Sequence, residues 1–239
     1  MSRRSTQPQV TNSDTSLNFG DTRVTGSDIR LLSNDAWISL KLVAFYFEYL
    51  NSRVFTSYQC TVCISPEIAG LILITPPKEL DVFLEPLEIQ QKDLIIFPIL
   101  DNSESEDRAH WSLLVFSKWD NAIFHFDSQA GHNANQASLM AEKLRAYFNT
   151  PSSVTVQEVD CIQQKRLQDS GPHMLANAEQ VISYAVKART VNNCPKITEK
   201  LVQSFRQKMI RLIWNLKHSS SIYQIRSKLV SSGHPSWKT

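Results

Sequence analysis

Leu94-Ile95-Ile96-Phe97-Pro98-Ile99-Leu100, Ser112-Leu113-Leu114-Val115-Phe116 and Ala122-Ile123-Phe124-His125-Phe126 are short apolar runs, each bounded by Asp, Asn, Ser or Gly. Runs of this length with such punctuation read as strands, and they place a sheet in the middle of the chain. The flanking text has helical spacing. Before the sheet, Leu40, Val43, Ala44, Phe47 and Leu50 recur at the helical period, with Ser33-Asn34-Asp35 ahead of them as capping side chains. After it, Ala137, Met140, Ala141, Leu144, Tyr147 and Phe148 predict a second helix. Met174, Ala178, Val181, Ile182 and Ala185 predict a third, and Leu201, Val202, Phe205, Met209, Leu212, Ile213 and Leu216 a fourth. Val154-Thr155-Val156-Gln157-Glu158-Val159 alternates as a further strand. Strands in the middle with helices on both sides predict an α+β domain rather than a βαβ array.

The 239 residues are enough for one sizeable core. With 42% hydrophobic and 20% charged residues, the chain as a whole is neither disordered, collagenous nor a coiled coil. The formal charge of +2 gives no reason to expect a nucleic-acid partner. No stretch approaches the roughly 20 apolar residues of a membrane span, and no apolar segment follows Arg3-Arg4. The expectation is a cytoplasmic and/or nuclear monomer that uses no membrane. Residues 1–15 hold six Ser/Thr and no aromatic side chain, too little apolar surface to offset ordering entropy, and are expected to form a disordered tail. Residues 16–217 are expected to form the domain, and 218–239 a loose C-terminal tail. Cys60, Cys63, Cys161 and Cys194 are too few and too scattered to staple it, and read as free thiols. Cys60 and Cys63 are spaced like half a zinc site with no second pair, so neither a metal nor a cofactor is expected.

Chemistry concentrates in three segments. His110 immediately precedes one strand, Asp127 closes the next, and Ser170 stands just before a helix in Gln168-Asp169-Ser170-Gly171. Adjacent strands can bring a His and an Asp together, so that the carboxylate fixes the imidazole tautomer and the imidazole serves a nucleophile. A helix N-terminus at Ser170 would add its positive dipole end. Gln164, upstream of Ser170, is the candidate to donate its amide to a developing oxyanion, alongside the Ser170 backbone N–H.

These residues resemble the ubiquitin-like-protein proteases of the Ulp/sentrin type, clan CE cysteine peptidases of the papain-like superfamily. Their signature is His-Trp, then an Asp closing the following strand, then Gln-x5-Cys-Gly. The likeness is strongest to the deneddylase member, which acts on the neddylation modifier. It is carried by Phe47-Glu-Tyr-Leu, Ile64-Ser-Pro-Glu, Phe83-Leu-Glu-Pro-Leu, His110-Trp-Ser-Leu-Leu-Val, Phe124-His-Phe-Asp-Ser and Ala141-Glu-Lys-Leu, in order from about Ser16 to Lys217. The resemblance implies a central mixed sheet flanked by helices, and a peptidase or isopeptidase that processes the modifier's precursor or removes it from conjugates such as cullins. His110 would be its base, Asp127 the orienting acid and Gln164 the oxyanion donor. Trp37 and Trp111 would line a narrow tunnel over the substrate's Gly-Gly end.

Two departures stand out. Ser170 occupies the nucleophile position, and Trp37-Ile38-Ser39-Leu40 replaces the family's Trp-Leu-Asn-Asp, so the acid expected to meet the modifier's basic tail is missing. An alcohol keeps its proton where a thiol can be held as thiolate, and a site shaped for one rarely serves the other. A catalytically inactive relative that binds a ubiquitin-like modifier without cutting it is therefore the alternative. A true serine hydrolase ranks last, because no Gly-x-Ser-x-Gly elbow is present. Other polar residues have plainer readings. His125, between Phe124 and Phe126, faces away from both and reads as a surface or satisfied side chain. His132 and His173 carry no pattern. Lys196, Lys200, Arg206, Lys208 and Arg211 read as a solvated face.

Overall fold

Side-chain alternation along two central strands sets the architecture. In a computed structural model, which describes residues 16–101, 109–151 and 153–231 with side chains through residue 219, β4 (Leu94–Leu100) pairs antiparallel with β5 (Trp111–Ser117). Odd and even positions send their side chains to opposite faces, and both faces are apolar, as expected of strands covered on both sides. One face carries Leu94, Ile96, Trp111, Leu113 and Val115. The other carries Ile95, Phe97, Ile99, Leu114 and Phe116.

The sheet has five strands in the order β3-β4-β5-β6-β7, with β3 at Thr61–Cys63, β6 at Ala122–Phe126 and β7 at Val156–Glu158. Its two outer pairings are parallel and its two inner ones antiparallel, so the mixed sheet that the resemblance implies is present. Two further strands, β1 (Leu17–Phe19) and β2 (Thr22–Val24), form a separate hairpin. They precede α1 (Gly26–Ser33) and α2 (Leu40–Tyr49). α3 (Pro66–Ile74) and the single turn α4 (Asp81–Leu84) follow β3. α5 (Ala134–Phe148), α6 (Ser170–Ala188) and α7 (Glu199–Ser231) complete the chain. Side chains of α2, α6 and α7 fill the core on the Trp111 face, including Phe45, Leu175 and Phe205. Ile72 of α3 and Met140 and Leu144 of α5 fill the other. Each such side chain contributes about 1.5–3 kcal/mol on burial, so the two cores together outweigh any single polar contact.

Two expectations change. Ser33-Asn34-Asp35 does not cap α2: α1 ends there, Asp35 takes a left-handed conformation (φ 53°), and Ser39 Oγ accepts the Leu42 N–H instead. The loose tail expected from residue 218 is helical as far as Ser231, because nothing in His218-Ser-Ser-Ser breaks a helix and Ile222, Ile225 and Leu229 keep its period. α3 escapes a periodicity search because its text, Pro66-Glu-Ile-Ala-Gly-Leu-Ile-Leu-Ile, is apolar nearly all round, leaving Leu71 and Ile74 exposed. Its start signals are nonetheless local, with Ser65 as N-cap and Pro66 at the first helical position. The tail expected over residues 1–15 lies outside the described residues.

Candidate active site

His110 and Asp127 meet because β5 and β6 are antiparallel neighbours in a register that sets Leu113 opposite Phe126. His110 stands just before β5 and Asp127 just after β6, and His110 Nε2 lies 2.6 Å from Asp127 Oδ1. Both residues are buried. The Asp127 carboxylate also accepts the Gln129 N–H at Oδ1 (2.9 Å) and the Asn133 N–H at Oδ2 (3.0 Å). Burial alone would raise its pKa, but these three hydrogen bonds outweigh burial and hold the carboxyl below its ordinary value. An ionised Asp127 fixes the proton on Nε2 and leaves Nδ1 as the imidazole nitrogen free to serve a nucleophile.

Asn133 locks this pair. It is fully buried at the entrance to α5, and its Nδ2 donates to His110 O and Ser112 Oγ, both at 3.0 Å. Ser112 Oγ in turn lies 2.9 Å from His125 Nε2, while His125 Nδ1 reaches the Glu158 carboxylate. His125 is thus a satisfied side chain, one of the two expectations for it, but it is wholly buried and not on the surface. The cause is β7, which covers that edge of β6 and supplies Glu158. His132, which carries no pattern in the sequence, stands edge-on to the His110 ring with centroids 4.7 Å apart, and its Nε2 pairs with Asp101.

Ser170 is the first residue of α6 and fully buried, and its Oγ makes no hydrogen bond to any protein atom. α6 packs on β5, and Ile38, which closely approaches Gly171 and accepts from Trp111 Nε1, links the first turn of α6 to the residue after His110. Gly171 is required by a close approach: a Cβ there would stand 2.8 Å from Ile38 Cβ. Ile38 is also the acceptor for Trp111 Nε1 (2.9 Å), so the segment after α1, the His-Trp strand and the Ser-Gly turn are mutually fixed. Gly171→Ala is expected to cost about 1–3 kcal/mol by overpacking against Ile38. Chemical denaturation checks this, and an unchanged midpoint would mean that the turn has slack. Trp111 is buried in the core, whereas Trp37 is half-buried, so of the two expected tunnel walls only Trp37 has much surface to offer.

Gln164 is strapped to the residue after Asp127. Its backbone N–H donates to Ser128 O (2.8 Å), and its Oε1 accepts Ser128 Oγ–H (2.8 Å). That bond orients the amide and leaves Nε2 with only a long contact to Leu167 O (3.4 Å). The neighbouring Gln163 carries structure instead. Its Nε2 donates to Asp127 O and Cys161 O, and its Oε1 accepts the Ala130 N–H. Cys161 lies behind Asp127, donating its thiol to the Asp127 carbonyl (3.2 Å), and burial followed by the Asp127 charge pushes its pKa up to about 11. A thiol so placed is not a nucleophile in waiting. Among the described residues no group of side chains could hold a metal ion.

Residues 80–217 match the model of the Ulp1 protease family, C-terminal catalytic domain. The chain belongs to that family. It is 36% identical to rat sentrin-specific protease 8 over 68% of this chain and 77% of that protein. With NEDD8-specific protease 1 of Arabidopsis thaliana it shares 29% identity over 87% of this chain and 96% of the other. The fold is that of the Ulp1 protease domain solved in complex with Smt3, the yeast ortholog of SUMO, with a TM-score of 0.69 at 17% identity over 87% of this chain and 90% of that one. The Ulp/sentrin resemblance and the papain-like α+β fold read from the sequence are therefore the chain's own. The buried His110–Asp127 contact and Ser170 at the start of α6 lie within the matched residues.

Proposed function

We propose that this chain is a ubiquitin-like-protein peptidase of the deneddylase type, with His110 as base, Asp127 as its orienting acid, Gln164 as oxyanion donor and position 170 as the nucleophile. The observation that carries this reading is the buried 2.6 Å contact between His110 Nε2 and Asp127 Oδ1, with the helix that Ser170 opens tied through Ile38 to the adjoining Trp111. The similarity to sentrin-specific protease 8 and to NEDD8-specific protease 1 supports the neddylation modifier as the preferred partner and its conjugates, cullins among them, as the substrate class. The compartment that fits these conjugates is the cytoplasm or nucleus.

A second reading, binding without cleavage, is favoured by Ser170. A general base must reach the hydroxyl whose proton it takes, and Ser170 Oγ bonds to nothing. A thiol in the same place needs no such bond in the ground state, because the dipole of α6 and an adjacent imidazolium favour thiolate. The natural chain then holds the modifier's C-terminus and turns it over poorly. Calorimetric titration with the neddylation modifier, SUMO and ubiquitin tests the partner. The neddylation modifier is expected to bind at least about ten-fold tighter than the others, a margin of about 1.4 kcal/mol. Equal affinities, or no binding of any, would defeat the assignment.

A further inference from the structure

Arg206 departs from the solvated face to which the sequence assigned it: on α7, amid exposed basic residues, it is only 4% exposed. Its guanidinium is directed inward at two segments far apart in sequence. Nη1 donates to Ala36 O (2.5 Å), Nη2 donates to Gln168 O (2.6 Å), and Nη2 lies 3.5 Å from Asp169 Oδ1. Nε stands 3.7 Å from Asp35 Oδ1. Arg166 closes the same cluster from outside, bidentate on Asp169 (2.8 Å twice) and paired with Asp35 (3.2 Å).

The segments joined in this way are the two walls of the site. Ala36 precedes Trp37 and Ile38, and Ile38 holds Trp111 and abuts Gly171. Gln168 and Asp169 immediately precede Ser170. A buried guanidinium is costly unless its donors are satisfied, and here they are satisfied by backbone carbonyls that only a planar fork can bridge together. We propose that Arg206 is a positioning residue that sets the spacing between the Trp37 wall and the turn bearing residue 170, and so both the reactivity of that position and access of the modifier's tail. The inference rests on the reading of the site as a Ulp-type peptidase site.

The test uses Arg206→Lys and Arg206→Gln in the full chain, in the natural and the Ser170→Cys forms. Lysine keeps the charge and loses the fork, which separates spacing from electrostatics. The readouts are the melting temperature, affinity for the neddylation modifier, and the pH profile of alkylation of the introduced thiol by iodoacetamide, followed by peptide mass mapping. In the Ser170→Cys background, Arg206→Lys is expected to fold and to alkylate at position 170 at least ten-fold more slowly at neutral pH or with a shifted midpoint. It is also expected to bind the modifier at least ten-fold more weakly. A purely structural arginine would lower the melting temperature and leave the alkylation midpoint and rate of the folded protein unchanged, and that result would overturn the proposal. Should Arg206→Gln fail to fold, Arg206→Lys decides alone. Should Arg206→Lys fail as well, Asp169→Asn decides, since it loosens the same turn from the guanidinium: unchanged alkylation there would also overturn the proposal. Alkylation needs no modifier, so a protein whose introduced thiol responds to Arg206 but which binds no modifier would sink the functional reading and leave the clamp standing.

Discussion

Ser170→Cys is expected to cleave a neddylation modifier–fluorophore substrate roughly 10³-fold faster, or more, than the natural chain, whose turnover should lie near the uncatalysed background. The magnitude follows from what the site stabilises. The α6 N-terminus favours an anion at position 170, and a His110 imidazole held through Nε2 by Asp127 becomes, on taking the thiol proton at Nδ1, the imidazolium that stabilises it. A cysteine with an ordinary pKa near 8.5 can be drawn into thiolate there, whereas an alcohol stays protonated and requires concerted proton removal by a base to which it makes no hydrogen bond. Loss of a nucleophile costs enzymes about 10⁶-fold, so 10³-fold is a conservative recovery for a site whose other parts are in place. Robust cleavage by the natural chain would promote the serine-hydrolase reading. A silent Ser170→Cys form that still binds the modifier would show that the groove has drifted along with the nucleophile.

Asp127→Ala is expected to remove activity from the Ser170→Cys form by roughly 10³-fold or more, because the imidazole loses the partner that fixes its tautomer. It should also destabilise the chain by about 1–3 kcal/mol, the range for leaving a buried hydrogen-bonding group without its partner. The donors left behind are His110 Nε2, the buried Asn133 N–H and the Gln129 N–H. Acid adds a second signature. The Asp127 carboxyl is depressed in the folded state, so its contribution is present above the unfolded value near 3.8 and is lost as pH falls through the lower folded value. Urea melts of the parent should therefore lose stability below about pH 4 more steeply than melts of Asp127→Ala. Identical acid profiles, or a loss under about 1 kcal/mol at neutral pH, would mean that the pair is not the anchor described.

The sheet and the dyad were legible because their signals are local. Period and punctuation mark β4, β5 and β6, and strand order alone puts His110 within reach of Asp127. What stayed hidden depends on neighbours. His125 has the text of a half-exposed strand residue and becomes buried only when β7 adds Glu158 beside it. Arg206 sits in a basic helix like any solvated arginine, and only the return of α7 over Ala36 and Gln168 turns it inward. The β1–β2 hairpin and β3 are three-residue strands, too short for alternation to register. Spacing to position 170 singles out Gln164, but the structural duty of Gln163 shows only in the bonds each makes around Asp127 and Ser128. The glycine after Ser170, by contrast, is explained as soon as Ile38 is seen behind it.

The claim that position 170 receives the C-terminus of a ubiquitin-like modifier is tested most directly by covalent capture. The natural chain and its Ser170→Cys form are each incubated with the neddylation modifier carrying a C-terminal thiol-reactive electrophile, and the product is located by intact mass and peptide mapping. The expected result is a single adduct at position 170 of the variant and none on the natural chain, whose buried Cys161 thiol has its pKa raised to about 11. An adduct on Cys161 or another native cysteine, or no adduct on a folded Ser170→Cys protein, would contradict that claim.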